Sequence, residues 1–269
     1  MNRRTALTSV LGFVASQGLA GCVGLGTDSS VNGTEDTTAQ TTSGVDPDRD
    51  IDGDGLTACE EHQLDGAKIG RMDIYVEIDW TEGNRPASNE LDRLVDVFDG
   101  APVEASNGVD PGANLHLVPG SEVPSKEEPF GLDELREYRR EYFDNRGRGY
   151  HYALFVEEVS PPAFGREDEG DVLVQSGIAD SRSMSPMQIF AHELGHALGL
   201  SGNTFEGIDS GKRTFDEYPS IMNYRGMERG NHLDFSDGTN SERDFDDWGY
   251  LSENLQTPDT SELDAADPC

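Results

Sequence analysis

Lysine is almost missing from this chain of 269 residues, where Lys68, Lys126 and Lys212 are the whole complement. Lysine and arginine together number 20 against 53 acids, a formal net charge of -33. A chain so poor in cations cannot neutralise phosphates, which excludes nucleic acid as a partner. Cysteine is scarce as well: Cys22, Cys59 and Cys269 are too few to build a disulfide scaffold. Outside the cell Cys59 and Cys269 can pair, clipping the end of the chain to its folded start, and the sequence leaves that open. Nor is there an unbroken apolar run of the roughly 20 residues that a membrane-spanning helix needs. Self-repulsion on this scale opposes compaction unless salt screens it. Because the acids are spread through segments that also carry core patterning, disorder of the whole chain does not follow. The composition fits the solvated acidic surface of a protein that works in high salt.

The beginning of the chain reads as an address. Arg3 and Arg4 precede an apolar stretch from Ala6 to Ala20, interrupted by Gln17 and glycines, that ends in Leu19-Ala20-Gly21-Cys22. This order is that of an export signal. The paired arginines resemble a twin-arginine signal, and Leu-Ala-Gly-Cys resembles a lipobox, which implies cleavage before Cys22 and lipid attachment to its thiol, as in exported haloarchaeal lipoproteins. Residues 23–46 are rich in Ser, Thr, Gly and Asp and form a tether, since they cannot bury a core.

Asp50-Ile51-Asp52-Gly53-Asp54-Gly55, with Glu61 beyond, fits the twelve-residue calcium loop D-x-D-x-D-G-x5-E. A tight coil turns Asp50, Asp52 and Asp54 toward one point, Gly55 permits the bend, the Leu56 carbonyl can add an oxygen and Glu61 can close the shell with two. The pattern also resembles the acidic repeats of thrombospondin type 3 and dockerin-like surface proteins. A solvated acidic turn is the plain alternative, and the placing of Gly55 and Glu61 favours a structural calcium ion.

Periodicity outlines a β/α alternation. Residues 72–80 alternate apolar and polar over a strand's length. Leu91, Leu94, Val95 and Phe98 follow the spacing of a helix with one buried face. A short strand is expected over 114–118, a charged helix over 132–143, a strongly apolar and central strand over 150–159, and a further strand over 171–176 at the sheet's edge. Strands alternating with helices imply a single sheet with helices packed on it.

The segment Ser185 to Leu200 carries the chemistry. Ser185 suits an N-cap, Pro186 the first helical position, and Gln188 completes a capping box. On that helix His192 and His196 lie four apart, so both imidazoles project from one face and can share a zinc ion. Glu193, beside the first of them, is placed to take a proton from a zinc-activated water and pass it to a leaving amine. A buried helix that happens to hold two histidines is the alternative; the export signal, the β/α lead-in and the clean helix start speak against it.

From about Arg71 to Leu255 the chain resembles the metzincin metalloproteases, whose motif is H-E-x-x-H-x-x-G-x-x-H followed by a methionine turn beneath the zinc. His192, Glu193, His196 and Gly199 match the first part, and Ser220-Ile221-Met222-Asn223-Tyr224 resembles the turn. The resemblance implies an α/β fold of the α+β metzincin type: a twisted mixed sheet, an active-site helix, Met222 as the hydrophobic floor and a C-terminal helix that includes Asp246, Asp247 and Trp248. It implies that Tyr224 can bind zinc or steady an oxyanion. It also implies that an edge strand holds peptide by strand addition, a role that 171–176 could supply.

One departure matters. The family's third histidine falls on Gly202 here. Two histidines alone hold zinc poorly, so the ligand must come from Glu206, Asp209, Asp216 or Glu217, with His232 further off; Asp209, in a turn-like Gly-Ile-Asp-Ser, is preferred. His62, His116 and His151 are read as structural or exposed. The chain thus divides into a signal (1–22), a tether (23–46), a calcium loop (47–65), a catalytic domain (66–256) and an acidic tail (257–269). It is expected to be a monomeric zinc endopeptidase acting on proteins or peptides at the outer face of the cell membrane, touching the membrane only through its lipid, or shed from it. The rival readings are a catalytically silent binding module on the same fold, motivated by Gly202, and a calcium-stabilised envelope protein with a chance motif.

Overall fold

The structure, a computed structural model, describes residues 45–104, 111–178 and 184–263. The export signal, Cys22 with its lipidation, most of the tether and Cys269 lie outside the described residues. Cys59 is disulfide-bonded.

Each element follows from its local sequence. After the one-turn helix α1 (Ala58–Glu61) comes strand β1 (Asp73–Thr81), then α2 (Ser88–Asp99), β2 (Asn114–Val123), α3 (Leu132–Tyr142) and β3 (Tyr150–Val156). The hairpin strands β4 (Gly165–Asp168) and β5 (Asp171–Gln175) lead to α4 (Pro186–Ala197), the short α5 (Tyr224–Met227) and α6 (Asp247–Asn254). The strands form one mixed sheet in the order β2-β1-β3-β5-β4, parallel except for β4, which runs antiparallel to β5. The expected α/β class and the central place of β3 agree with this arrangement.

One expectation needs correction. Strand β5 is not at the edge, because β4 lies outside it; Gly165-Arg166-Glu167-Asp168 has no apolar alternation to announce a strand. In β1, expected as a strand from its alternation, all nine residues are buried, the polar ones included. Ile74, Val76, Ile78 and Trp80 enter the main core with Phe98 of α2 and Ile189, Phe190 and Leu194 of α4. On the opposite face the acids find fixed donors. Glu77 accepts the backbone N–H groups of Asp144 and Asn145, each at 2.9 Å. Asp79 accepts the Ser121 N–H at 2.6 Å, beside a register shift between β1 and β2, and the Tyr152 hydroxyl at 2.9 Å. Buried acids with matched donors are structural acceptors. A second core, with Leu135 and Tyr138 of α3 against Tyr152, Leu154 and Leu173, covers this face of β3 and β5.

Residues 257–263, grouped with the acidic tail above, are packed rather than loose. The Thr257 hydroxyl donates to the Asp54 carbonyl at 2.8 Å, and Leu263 joins Leu56, Leu64 and Tyr75 in a small apolar cluster. The main core closes at the other end, where Phe98 meets Phe235 and Trp248 edge to face with ring centroids 5.8 and 5.1 Å apart. Phe98→Ala is therefore expected to cost about 3–5 kcal/mol; urea unfolding should show a lower midpoint with an unchanged slope.

Candidate metal centre

Helix α4 begins as its sequence specifies: the Ser185 hydroxyl accepts the Gln188 N–H at 3.2 Å and the Gln188 side chain accepts the Ser185 N–H at 3.0 Å. It ends at Gly199, whose φ of +116° lets the chain turn away. Gly195, just before His196, is a glycine because a Cβ there would lie 2.4 Å from the Met222 sulfur and 2.8 Å from the Phe235 ring. Met222, fully buried, is thereby pressed against the helix between its ligand-bearing turns.

Behind each imidazole stands a carbonyl. His192 Nδ1 lies 2.9 Å from the Ile221 oxygen and His196 Nδ1 lies 2.7 Å from the Leu200 oxygen. A carbonyl only accepts, so both Nδ1 atoms carry hydrogen and both neutral rings present a bare Nε2 lone pair. The two Nε2 atoms face each other at 3.2 Å. Asp209 Oδ1 completes the triangle, 3.0 Å from His192 Nε2 and 3.2 Å from His196 Nε2. Ligand atoms on a tetrahedral zinc at its usual bond lengths stand about 3.3 Å apart. The three donors thus fit zinc in chemical type and in spacing, with a fourth position left for water or substrate.

Asp209 reaches this point from a loop stitched to the methionine turn. Its N–H donates to the Met222 carbonyl at 3.1 Å, and Ser210 bridges Asn223. It holds a left-handed φ of +53°, a conformation that aspartate tolerates better than most residues and one that concentrates at functional sites. Burial works against its charge, yet a proton on either Nε2 would hydrogen-bond to it and hold the Asp209 carboxyl well below the usual range. Burial also opposes charge on His196, but Asp209 and then Glu193 raise it to about 9. A cation is what this cluster of lone pairs demands.

The other candidates are elsewhere. Glu206 pairs with Arg213, Glu217 caps Thr214 and pairs with Arg243, and Asp216 is exposed. His232 packs edge-on to Phe215, His116 lies on Asp73, His151 on the Gly170 carbonyl, and His62 is exposed. Among the described residues, His192, His196 and Asp209 are the one group with histidines that could hold a metal.

Around the triad stand the remaining groups. Burial pushes the Glu193 carboxyl up, against the pull of both histidines. A Cβ on Gly165 of β4 would lie 2.5 Å from Glu193 Oε1, so the edge strand runs directly past this acid. Tyr224, 46% exposed, has its ring 6.0 Å from that of His192, and burial followed by the charges of Asp209 and Glu193 keeps its phenol protonated. Sequence reasoning missed β4; Gly165 is the residue that could have signalled a close approach. The acidic loop gathers Asp50, Asp52 and Asp54, with Leu56 turned into the small apolar cluster and Glu61 in α1, and adds Asp73, which the loop pattern does not contain.

Comparison with protein-family models and with curated proteins returns no match. Among solved structures, the crystal structure of archaemetzincin from Methanopyrus kandleri is similar at a TM-score of 0.38 and 14% identity, over 67% of this chain and 95% of that one. A superposition that loose assigns neither family nor activity.

Asp209→Asn keeps the left-handed backbone and removes the ligand's charge. Since lost outer-sphere partners already cost 10–100-fold in metal affinity, this change is expected to weaken zinc by about two orders of magnitude or more. Competition with a chromogenic chelator reads the change, and an unaltered circular dichroism spectrum separates it from unfolding.

Proposed function

We propose that this protein is a zinc-dependent endopeptidase. The observation that carries the reading is the convergence of two outward-facing Nε2 lone pairs and the Asp209 carboxylate beside a buried glutamate. A bound zinc would polarise the scissile carbonyl and lower the pKa of the attacking water. Glu193, its proton affinity raised by burial, takes the proton from that water and delivers it to the leaving amine. Tyr224, neutral and half-exposed at the mouth, donates a hydrogen bond to the developing oxyanion.

Strand β4 replaces β5 as the surface for substrate. Among the described residues its outer edge pairs with no strand, and an extended peptide added there would pass Gly165 and hence Glu193. Export, lipid attachment through Cys22 and action at the outer cell surface belong to the same reading and rest on the N-terminal sequence. A structural calcium ion in the acidic loop completes it. Asp209, with Oδ1 at 3.0 and 3.2 Å from the two Nε2 atoms, offers a third donor in place of the histidine expected at position 202, which speaks against the silent binding module.

Hydrolysis of a casein-type substrate in molar salt with calcium tests this. Glu193→Gln is expected to keep its zinc and lose at least about 10²–10⁴ of kcat/KM. Equal activity in the variant, or a zinc-loaded native protein that cleaves nothing across a peptide library, contradicts the reading. Gly165→Ala should also lower kcat/KM, by tenfold or more at unchanged zinc content, because the new methyl group displaces either Glu193 or the edge strand.

A further inference from the structure

Glu61 presents a problem that the twelve-residue loop alone does not solve. It is 3% exposed, and neither of its carboxylate oxygens has a hydrogen-bond partner. The charges that act on it most strongly are all acidic: Asp52, Asp54, Asp73 and Asp50. Burial and this repulsion push Glu61 up to about 9 and Asp54 to about 8. Protonation alone would not satisfy it, since a neutral carboxyl still leaves an oxygen unpaired.

Asp73, 3% exposed and first in β1, shares a common point with Asp54 and Glu61: one oxygen from each lies within 4.8 Å of the others. Asp54 belongs equally to the trio with Asp50 and Asp52, so the two groups meet at one carboxylate. Asp73 is held in place from three sides. Its N–H donates to Asp54 Oδ2 at 2.8 Å, Lys68 N–H donates to its Oδ2 at 2.7 Å, and Asn114 and His116 of β2 bond its Oδ1 at 2.8 and 2.6 Å. Oδ2, which accepts the Lys68 N–H, can offer a further lone pair to a cation. Asp50 also braces the loop, accepting the N–H groups of Gly53 at 2.7 Å and Gly55 at 3.0 Å.

We propose that Asp73 joins Asp50, Asp52, Asp54 and Glu61 around one calcium ion that fastens the acidic loop to the first residue of the sheet. Five carboxylates suit calcium, which takes six to eight oxygens in flexible geometry, better than magnesium, which demands an octahedron and keeps its waters. The ion then secures the C-terminal segment as well, because Asp54 also receives the Thr257 hydroxyl and Leu56 packs with Leu263. This inference rests on the acidic loop as a cation site and is independent of the zinc chemistry.

Terbium is the probe, sensitised through Tyr75, which packs with Leu56 and stacks on His116. Calcium displaces it from the full chain, with zinc left in place. In the native chain, saturable terbium binding that calcium reverses, and a calcium-induced rise in Tm, are expected. Asp73→Asn and Glu61→Gln should each weaken calcium at least tenfold, whereas the exposed Asp48→Asn should not. Unchanged affinity in Asp73→Asn beside a weakened Glu61→Gln overturns the inference and leaves a plain loop site. Absence of saturable binding in the native chain overturns the cation site altogether. Glu61→Gln removes a charge that no hydrogen bond uses, so it keeps the question open to test if Asp73→Asn does not fold; unchanged affinity there also overturns the site. Peptidase activity is not the readout, so failure here and failure of the zinc reading remain distinguishable.

Discussion

Two imidazoles whose Nε2 atoms are aimed at one point by the carbonyls behind them are the constraint on which the rest of this structure turns. The Ile221 oxygen belongs to the methionine turn and the Leu200 oxygen to the exit from α4, so the ring orientations depend on both segments being in place. The methionine turn in turn reaches the helix only because Gly195 leaves room for Met222. Asp209 hangs from the same turn through the Met222 carbonyl. One helix face, one glycine and one turn therefore fix three candidate donor atoms, and rigid support of this kind is what a metal site requires.

What could be read in advance was what local chemistry decides. The Ser185-Pro186-Gln188 start of α4 and the stop at Gly199 are matters of neighbours in sequence, and the structure shows both, whereas Asp246, expected inside the C-terminal helix, is the N-cap of α6. Long-range partnerships were less legible. Nothing in residues 165–168 distinguishes a strand from a loop, yet pairing with β5 makes it the edge beside Glu193. The four acids that could have replaced the missing histidine look alike in sequence; only the fold shows that Glu206 and Glu217 are committed to arginines while Asp209 turns to the imidazoles. Asp73 read as the polar half of an alternating strand, because a tertiary carboxylate cluster leaves no periodic trace.

The acidic composition also divides once the fold is known. Much of it faces solvent, but Glu77, Asp79, Asp171 and Asp247 are buried and each meets a specific donor. Asp171, for example, is pushed up to about 6 by burial, against the pull of Arg139. A net charge alone would have assigned these residues to the surface. Their placement shows that acids here also do the work that main-chain carbonyls and amides do in less charged proteins.

The central claim is that zinc sits among His192, His196 and Asp209. Anomalous diffraction at the zinc edge from crystals of the native protein tests it most directly. The account predicts a single strong zinc peak about 2.0–2.2 Å from both Nε2 atoms and Asp209 Oδ1, with a fourth position open to solvent. A peak held by other residues, or none in a protein purified without chelators, would contradict it.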